Sequence, residues 1–112
     1  MFIVLLDEPG LFVFDSAAAA VLKIESPDAE SEVRAPFDDA AVPYRVEWVR
    51  PNRRKTLLGP IESIEFGKYR FVPAGQPNPA ALIELIESHS DYTDPPEAKE
   101  ETEALLRKMR AV

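Results

Sequence analysis

The sequence predicts a single α+β domain over residues 1–112. We expect an antiparallel sheet of four to five strands, one helix after the first strands and two helices at the C-terminal end. Residues 29–35 and 44–50 alternate in polarity with a period of two, as half-buried strands do, whereas the last third of the chain follows the helical period. A length of 112 residues with 46% hydrophobic residues suits one domain with its own core.

The opening of the chain predicts a hairpin followed by a helix. Its segments are a strand at 2–6, a turn at Pro9-Gly10, a strand at 11–14 and a helix at 16–25. Asp15 is predicted as the N-cap of that helix, and Ser26-Pro27 as its stop.

Residues 29–35 are expected to pair with residues 44–50 as an antiparallel hairpin, with Phe37-Asp38-Asp39 at the turn. Small or apolar residues alternate in the first strand with Glu30 and Glu32. This alternation predicts that both glutamates point into solvent from one side of the strand.

The middle of the chain predicts a second hairpin. Residues 51–55 form a turn by composition, and residues 61–65 and 69–72 have the character of two strands. Two isoleucines three residues apart after Pro60 also suit a helical turn, so both interpretations of residues 60–66 stay open.

Two helices are predicted at the C-terminal end. Asn78 caps the first, and Pro79 takes its first position. The second begins in residues 94–97 with the pattern of a capping box and has basic residues in its last turn, which complement the helix dipole.

The composition argues against catalytic and metal chemistry. The chain has no cysteine and a single histidine, His89, whose predicted place at a helix C-terminus favours a structural role. None of the four glycines belongs to a phosphate-binding loop. We therefore expect a non-enzyme without catalytic residues, metal site or cofactor.

Two charged sets are candidate binding surfaces. The acidic set is Glu30, Glu32, Asp38 and Asp39; a solvated face is its simplest interpretation, and capture of a basic protein partner its functional one. The basic set is Arg50, Arg53, Arg54 and Lys55, with Tyr44 and Trp48 nearby, which indicates either a solvated turn or a contact with nucleic acid. We expect the two aromatic residues in the core, because they share a strand face with Val46.

The net charge of −7 is unevenly distributed. Residues 1–42 contain nine acids against two bases, residues 43–73 three against seven, and residues 74–112 eight against four. An acidic protein is a poor general binder of nucleic acid. No stretch has the length of a membrane span or the pattern of a signal peptide, so we expect a cytoplasmic protein.

The order of segments also suggests a family. The segments are LFVFD at 11–15 leading into a helix, VPYRVEW at 42–48, GKYRFVP at 67–73 and NPAAL at 78–82 opening a helix. This order and length resemble small acidic bacterial proteins that are themselves similar to the immunity proteins of polymorphic toxin systems. The resemblance implies a cytosolic inhibitor that occludes a toxin domain and performs no chemistry, and it assigns no binding residue.

Two functions follow as expectations. The first is a non-catalytic protein-binding module, in its narrower form an immunity-type inhibitor of a basic toxin domain, and the second is a nucleic-acid-associated regulator that uses Arg53-Arg54-Lys55. A homodimer formed through an exposed sheet edge, such as the strand at 2–6, is a further expectation.

Overall fold

The computed structural model describes residues 1–7, 10–59, 61–89 and 91–111 as an α+β fold. In chain order the elements are β1 (Phe2–Leu6), β2 (Gly10–Phe14), α1 (Ala17–Lys23), α2 (Ser26–Ser31), β3 (Val33–Asp38), β4 (Tyr44–Arg50), β5 (Arg53–Leu58), β6 (Ile61–Glu65), β7 (Lys68–Pro73), α3 (Pro79–His89), β8 (Thr93–Asp94), a 3-10 turn (Pro96–Ala98) and α4 (Lys99–Arg110).

A four-stranded sheet forms the centre of the fold, in the order β3-β1-β2-β8. β1 is antiparallel to both of its neighbours, and the two-residue β8 is parallel to β2. The predicted hairpin of the first two strands is confirmed, although Glu8 and Pro9 of its turn lie outside the described residues.

Both faces of the sheet are covered, which explains why β1 is apolar throughout. Ile3 belongs to a core cluster with buried residues of α3 and α4, including Leu82 and Leu105. Phe2 and Val4 project to the other face and belong to a second cluster with residues of α1, α2 and β7.

The strands from β4 to β7 form one long ribbon. β4 pairs with β7 and β5 pairs with β6, all antiparallel, and the register between Arg50–Lys68 and Arg53–Glu65 continues without a shift. The inner half, β4 and β7, packs its aromatic face onto the second core cluster. We call β5 and β6 the outer ribbon, and residues 50–52 with 66–68 the neck.

The predicted strand over residues 29–35 is wrong. Residues 26–31 form α2, and β3 begins only at Val33 and pairs with β1. Ser26 and Ala29 are the buried residues of α2. Their spacing of three residues fits a helix, just as the alternating polarity of residues 29–35 fits a strand. Ala, Glu and Ser have weak strand preference, which leaves the helix favoured.

The chain therefore has two helices after the first strands, where the sequence predicted one. Ser16, and not Asp15, caps α1, because its hydroxyl accepts a hydrogen bond from the Ala19 N–H at 3.0 Å. Ser26-Pro27 opens α2 instead of stopping α1, since proline suits the first turn of a helix.

The predicted turn over residues 51–55 is also wrong, because Arg53, Arg54 and Lys55 begin β5. Residues 61–65 are a strand, as one of the two interpretations had it, but β6 pairs with β5 instead of with residues 69–72. β4 was predicted to pair with residues 29–35, and it pairs with β7 instead.

Both C-terminal helices are confirmed. Asn78 caps α3 by accepting a hydrogen bond from the Ala81 N–H at 3.2 Å. The capping box at residues 94–97 does not form; the 3-10 turn leads into α4 without a side-chain cap. The last turn of α4 has the expected basic residues.

Candidate functional site

The outer ribbon projects from the rest of the fold. It forms a two-stranded sheet of its own. The radius of gyration is 15.7 Å, whereas a compact chain of this length has about 13 Å. The longest dimension is 58 Å against 27 and 19 Å for the other two, which fits an arm extending from a body.

The basic set predicted from sequence is brought together along this arm. Arg53, Arg54 and Lys55 lie on β5, where Arg53 and Lys55 share one face and Arg54 occupies the other, and Arg50 lies at the neck. Lys55 Nζ pairs with Glu65 Oε2 at 2.9 Å, and this hydrogen bond lowers the pKa of the Glu65 carboxyl.

Several cations of the ribbon have no ion pair with any side chain that the structure describes. They are Arg50, Arg53, Arg54 and Lys68. On the inner ribbon, by contrast, Glu47 pairs with both Arg45 and Arg70, and the hydrogen bond from Arg70 lowers the pKa of Glu47. Bases thus outnumber acids at the neck and on the outer ribbon, although Arg53 and Arg50 both lie close enough to Glu65 to help lower the pKa of its carboxyl.

The neck is fixed by one amide side chain. Asn52 Oδ1 accepts a hydrogen bond from the Gly67 N–H at 2.7 Å, and Asn52 Nδ2 donates to the Ser26 carbonyl at 2.9 Å and to Glu30 Oε2 at 2.8 Å. Asn52 therefore joins both strands of the ribbon to α2.

Gly67 is required at the neck because the two strands approach closely there. A Cβ atom at this position would lie 2.1 Å from the Arg50 carbonyl oxygen and 2.6 Å from the Pro51 carbonyl carbon. Both neighbours are backbone atoms and cannot move aside without breaking the pairing.

An open groove of about 250 Å³ lies between the neck and the α1–α2 junction. We call it the neck groove. Val21, Leu22 and Phe66 form apolar walls, and Ser26 and Lys68 are among its polar residues. Leu22 is 86% exposed and Phe66 49% exposed, both unusually open for large apolar side chains.

The acidic set is not a single surface. Asp38 is used inside the fold: Oδ1 accepts from the Ala40 and Val42 N–H groups at 2.9 and 3.0 Å, and Oδ2 accepts from the Tyr44 hydroxyl at 3.1 Å. Burial, and then this contact with Asp38, raises the pKa of Tyr44. Asp39 pairs with the N-terminal amine at 3.3 Å.

Glu30 and Glu32 lie at the other end of β3 from Asp38 and Asp39. Glu30 is on α2, where it accepts the hydrogen bond from Asn52, and Glu32 is the C-cap of α2. The six residues of β3 separate the two pairs by about 20 Å. The predicted strand positions of Glu30 and Glu32 are therefore wrong, and the two pairs of acids do not share one hairpin.

The remaining predicted residues have structural environments. His89 Nδ1 lies 3.0 Å from the Leu85 carbonyl at the end of α3. Trp48 is half-buried, with its ring centroid 5.6 Å from that of Tyr69. Within the described ranges no three His, Asp or Glu side chains come together as metal ligands would, and no helix has the length and apolarity to cross a membrane.

Sequence reasoning missed Asn52, Gly67 and the neck groove. One signal was present: Leu22 lies off the apolar stripe of α1, so its exposure was foreseeable. Phe66 gave no such signal, because its exposure depends on where the ribbon meets α1.

Comparisons with protein-family models, curated proteins and solved structures found no match to this chain.

Proposed function

We propose that this chain is a non-catalytic protein-binding module and that the outer ribbon is its binding element. The supporting observation is that the outer ribbon pairs with no third strand in the part of the chain that the structure describes, while Arg53, Arg54 and Ile64 on it are exposed. A lone two-stranded hairpin is only marginally stable in water, so contact with a partner stabilises it. Strand addition at such an edge is a general mode of protein recognition.

The charge of the outer ribbon defines the partner surface. Arg53 and Arg54 face opposite sides of β5 and have no ion pair with a described side chain. An acidic surface on the partner satisfies both, whereas a second copy of the same ribbon would repel them. The module therefore binds an acidic face of another protein.

The immunity-type role is the narrower form of this proposal. It rests on the resemblance in segment order, and it makes the chain a cytoplasmic inhibitor that occludes a toxin domain. A basic toxin would have to meet Glu30 and Glu32, or Asp38 and Asp39, as two separate sites. The outer ribbon is the better supported contact, and a toxin bound there presents acidic groups.

Shortening the ribbon tests the proposal. Residues 53–65 are replaced by Asn-Gly, which closes a two-residue turn between Asn52 and Phe66 and keeps the neck. Partners are captured with the tagged wild-type chain and identified by mass spectrometry, and the Kd of each purified partner is then measured. We expect the shortened chain to keep its melting transition and to lose affinity by about 100-fold or more.

A matched control separates the ribbon from charge in general. Lys99→Ala, Arg107→Ala and Lys108→Ala together remove three exposed cations from α4 and should leave the Kd unchanged. A folded, shortened chain that binds its partner as tightly as the wild type would contradict the proposal.

Nucleic-acid binding is the second candidate, and the position of the outer ribbon favours it. Arg53, Arg54 and Lys55 are adjacent on β5 at the end next to the neck, and their side chains are exposed. A two-stranded ribbon fits the major groove of DNA.

Fluorescence anisotropy with labelled duplex DNA and single-stranded RNA distinguishes the two candidates. The second candidate requires saturable binding that weakens steeply with salt and disappears when Arg53, Arg54 and Lys55 are changed together to alanine. We expect no such binding, and its observation would replace the protein-binding proposal.

A further inference from the structure

We infer that the neck groove receives one large apolar side chain from an acidic segment of the protein partner. The inference rests on the proposed function and specifies the partner's chemistry at a second place, adjacent to the outer ribbon. It has three independent supports: exposed apolar walls, an unpartnered buried hydroxyl, and two cations at the groove that form no ion pair with a described side chain.

The walls explain the apolar side chain. Leu22 and Phe66 lie on opposite elements, α1 and the neck, and both line the groove while remaining largely open to solvent. A volume of about 250 Å³ is below the roughly 300–1,000 Å³ of ordinary small-molecule sites, so it suits a single side chain. Filling it removes both walls from water.

Ser26 is a buried polar residue in the lining of the groove. Its residue surface is 6% exposed, and its Oγ has no hydrogen-bond partner among the described residues. A buried hydroxyl without a partner is unfavourable by an amount comparable to a hydrogen bond. Binding that opens this hydroxyl to a polar group of the segment removes that penalty.

The cations beside the groove explain why the segment is acidic. Lys68 lines the groove, and Arg50 lies beside it, with its guanidinium 3.5 Å from the Phe66 carbonyl. Neither cation forms an ion pair with a described side chain, although Arg50 lies close enough to Glu65 to help lower the pKa of its carboxyl, and Glu25 also lines the groove. Asp or Glu next to the anchoring residue therefore gains two favourable neighbours.

Selection from a displayed library of random dodecapeptides tests the inference on the full chain. Enriched peptides should contain one Leu, Phe, Ile or Trp flanked by Asp or Glu. When the chain binds a synthetic copy of an enriched peptide, the NMR signals of the amides of residues 21–26 and 66–69 should shift. Phe66→Ser and Leu22→Ser should each raise the Kd about tenfold, because each removes one wall.

Three further variants make the test specific. Ile64→Ser changes an apolar residue of similar exposure on the outer ribbon and should leave peptide affinity unchanged. Lys68→Glu should weaken acidic peptides and favour a copy with Lys in place of the acids. Ser26→Ala should raise the peptide Kd about threefold to tenfold while leaving the melting temperature the same or higher.

Several outcomes overturn the inference. In the selection, these are the absence of any enriched peptide and the enrichment of peptides without acids. In the binding measurements, they are a peptide affinity that Phe66→Ser does not change, shifts of the groove amide signals on addition of an oligonucleotide alone, and shifts of these signals that depend on protein concentration and so indicate a second copy. The ribbon-shortened chain keeps the groove and separates the two proposals. If the shortened chain still binds the peptides, the result supports the groove even where the outer ribbon proves dispensable. If peptide affinity falls in the Ile64→Ser variant but not in the Phe66→Ser variant, the result supports the outer ribbon alone.

Discussion

At the scale of single residues, two alanines hold backbone angles that glycine adopts more easily. Ala35 has φ 43° where the β1–β3 register shifts, and Ala41 has φ 61° in the loop that Asp38 holds. Ala35 is exposed, whereas Ala41 is 2% exposed and part of the core. The two positions therefore separate backbone strain from the burial of a methyl group.

Ala35→Gly should stabilise the fold by about 0.5–1 kcal/mol. Relief of the left-handed conformation contributes about 1–2 kcal/mol, and the added freedom of glycine in the unfolded chain costs about 0.5–1 kcal/mol. Ala41→Gly should be neutral or destabilising, because it also removes a buried methyl worth about 0.8 kcal/mol. Urea titrations measure both, and a lower midpoint for Ala35→Gly would contradict the argument.

Tyr69 should make the fold sensitive to alkali. Burial raises the pKa of its hydroxyl to about 12, and that hydroxyl donates a hydrogen bond to the Ile24 carbonyl. Above pH about 10 the unfolded chain loses this proton while the folded chain keeps it, so the free energy of unfolding falls as the pH rises from about 10 to 12. Tyr69→Phe should lose less stability between pH 9 and 11 than the wild type, as measured by urea titrations at several pH values. If the free energy of unfolding falls equally steeply with pH in both proteins, ionisation of Tyr69 is not the cause.

At the scale of elements, Asn52 decides where the ribbon points. Its three hydrogen bonds connect the neck to α2, as no other described side chain does. Asn52→Ala should lower the free energy of unfolding by about 2–3 kcal/mol, since each bond contributes about 1 kcal/mol. Hydrogen exchange of the Gly67 amide should accelerate in the alanine variant, because the acceptor for that amide is lost. Asn52→Asp keeps this acceptor but puts a second carboxylate beside Glu30, so the matched control combines it with Glu30→Gln, and in that double variant exchange of the Gly67 amide should stay slow.

The same scale shows what sequence patterns can predict. Strand β4 and helix α3 follow from local periodicity, because each buries a face whose spacing is set by its own backbone, whereas β1 and β2 follow from short apolar runs on either side of a Pro-Gly turn. Pairing partners do not follow, since β4 pairs with β7 across an intervening hairpin and register is a long-range property. Residues 26–35 satisfy two periods at once, and the packing of Ala29 in the core selects the helix.

The candidate site was predictable to a similar degree. The clustering of Arg53, Arg54 and Lys55 is visible in the sequence because the residues are adjacent, although their place on a strand is not. The four acids were expected on one hairpin. That hairpin does not form, because Glu30 lies on α2 and β3 pairs with β1 instead of with β4. The neck groove depends on α1 meeting the ribbon, so no local pattern encodes it.

At the scale of the whole molecule, charge is divided between an acidic body and a basic arm. Residues 43–73, which contain the ribbon, have seven bases and three acids, and every other part of the chain is acidic. Exposed strand edges normally promote self-pairing, and basic side chains on an edge oppose it. We therefore expect the basic side chains to oppose pairing between the ribbons of two copies, in agreement with the proposal of an acidic partner.

The wild-type chain should accordingly remain monomeric at low salt, in contrast to the homodimer that an exposed edge alone would favour. Changing Arg53, Arg54 and Lys55 together to threonine removes three cations from β5 and raises its strand preference, so the variant should dimerise or aggregate through that edge. Sedimentation velocity at several protein concentrations measures this. Threonine at Lys99, Arg107 and Lys108 is the control of equal charge change on α4 and should stay monomeric. High ionic strength should increase self-association of the wild type, because it screens the same repulsion. A wild-type dimer that is already stable at low salt and dissociates as salt rises would show that the arm and the body of two copies attract each other, and the monomer argument would fail.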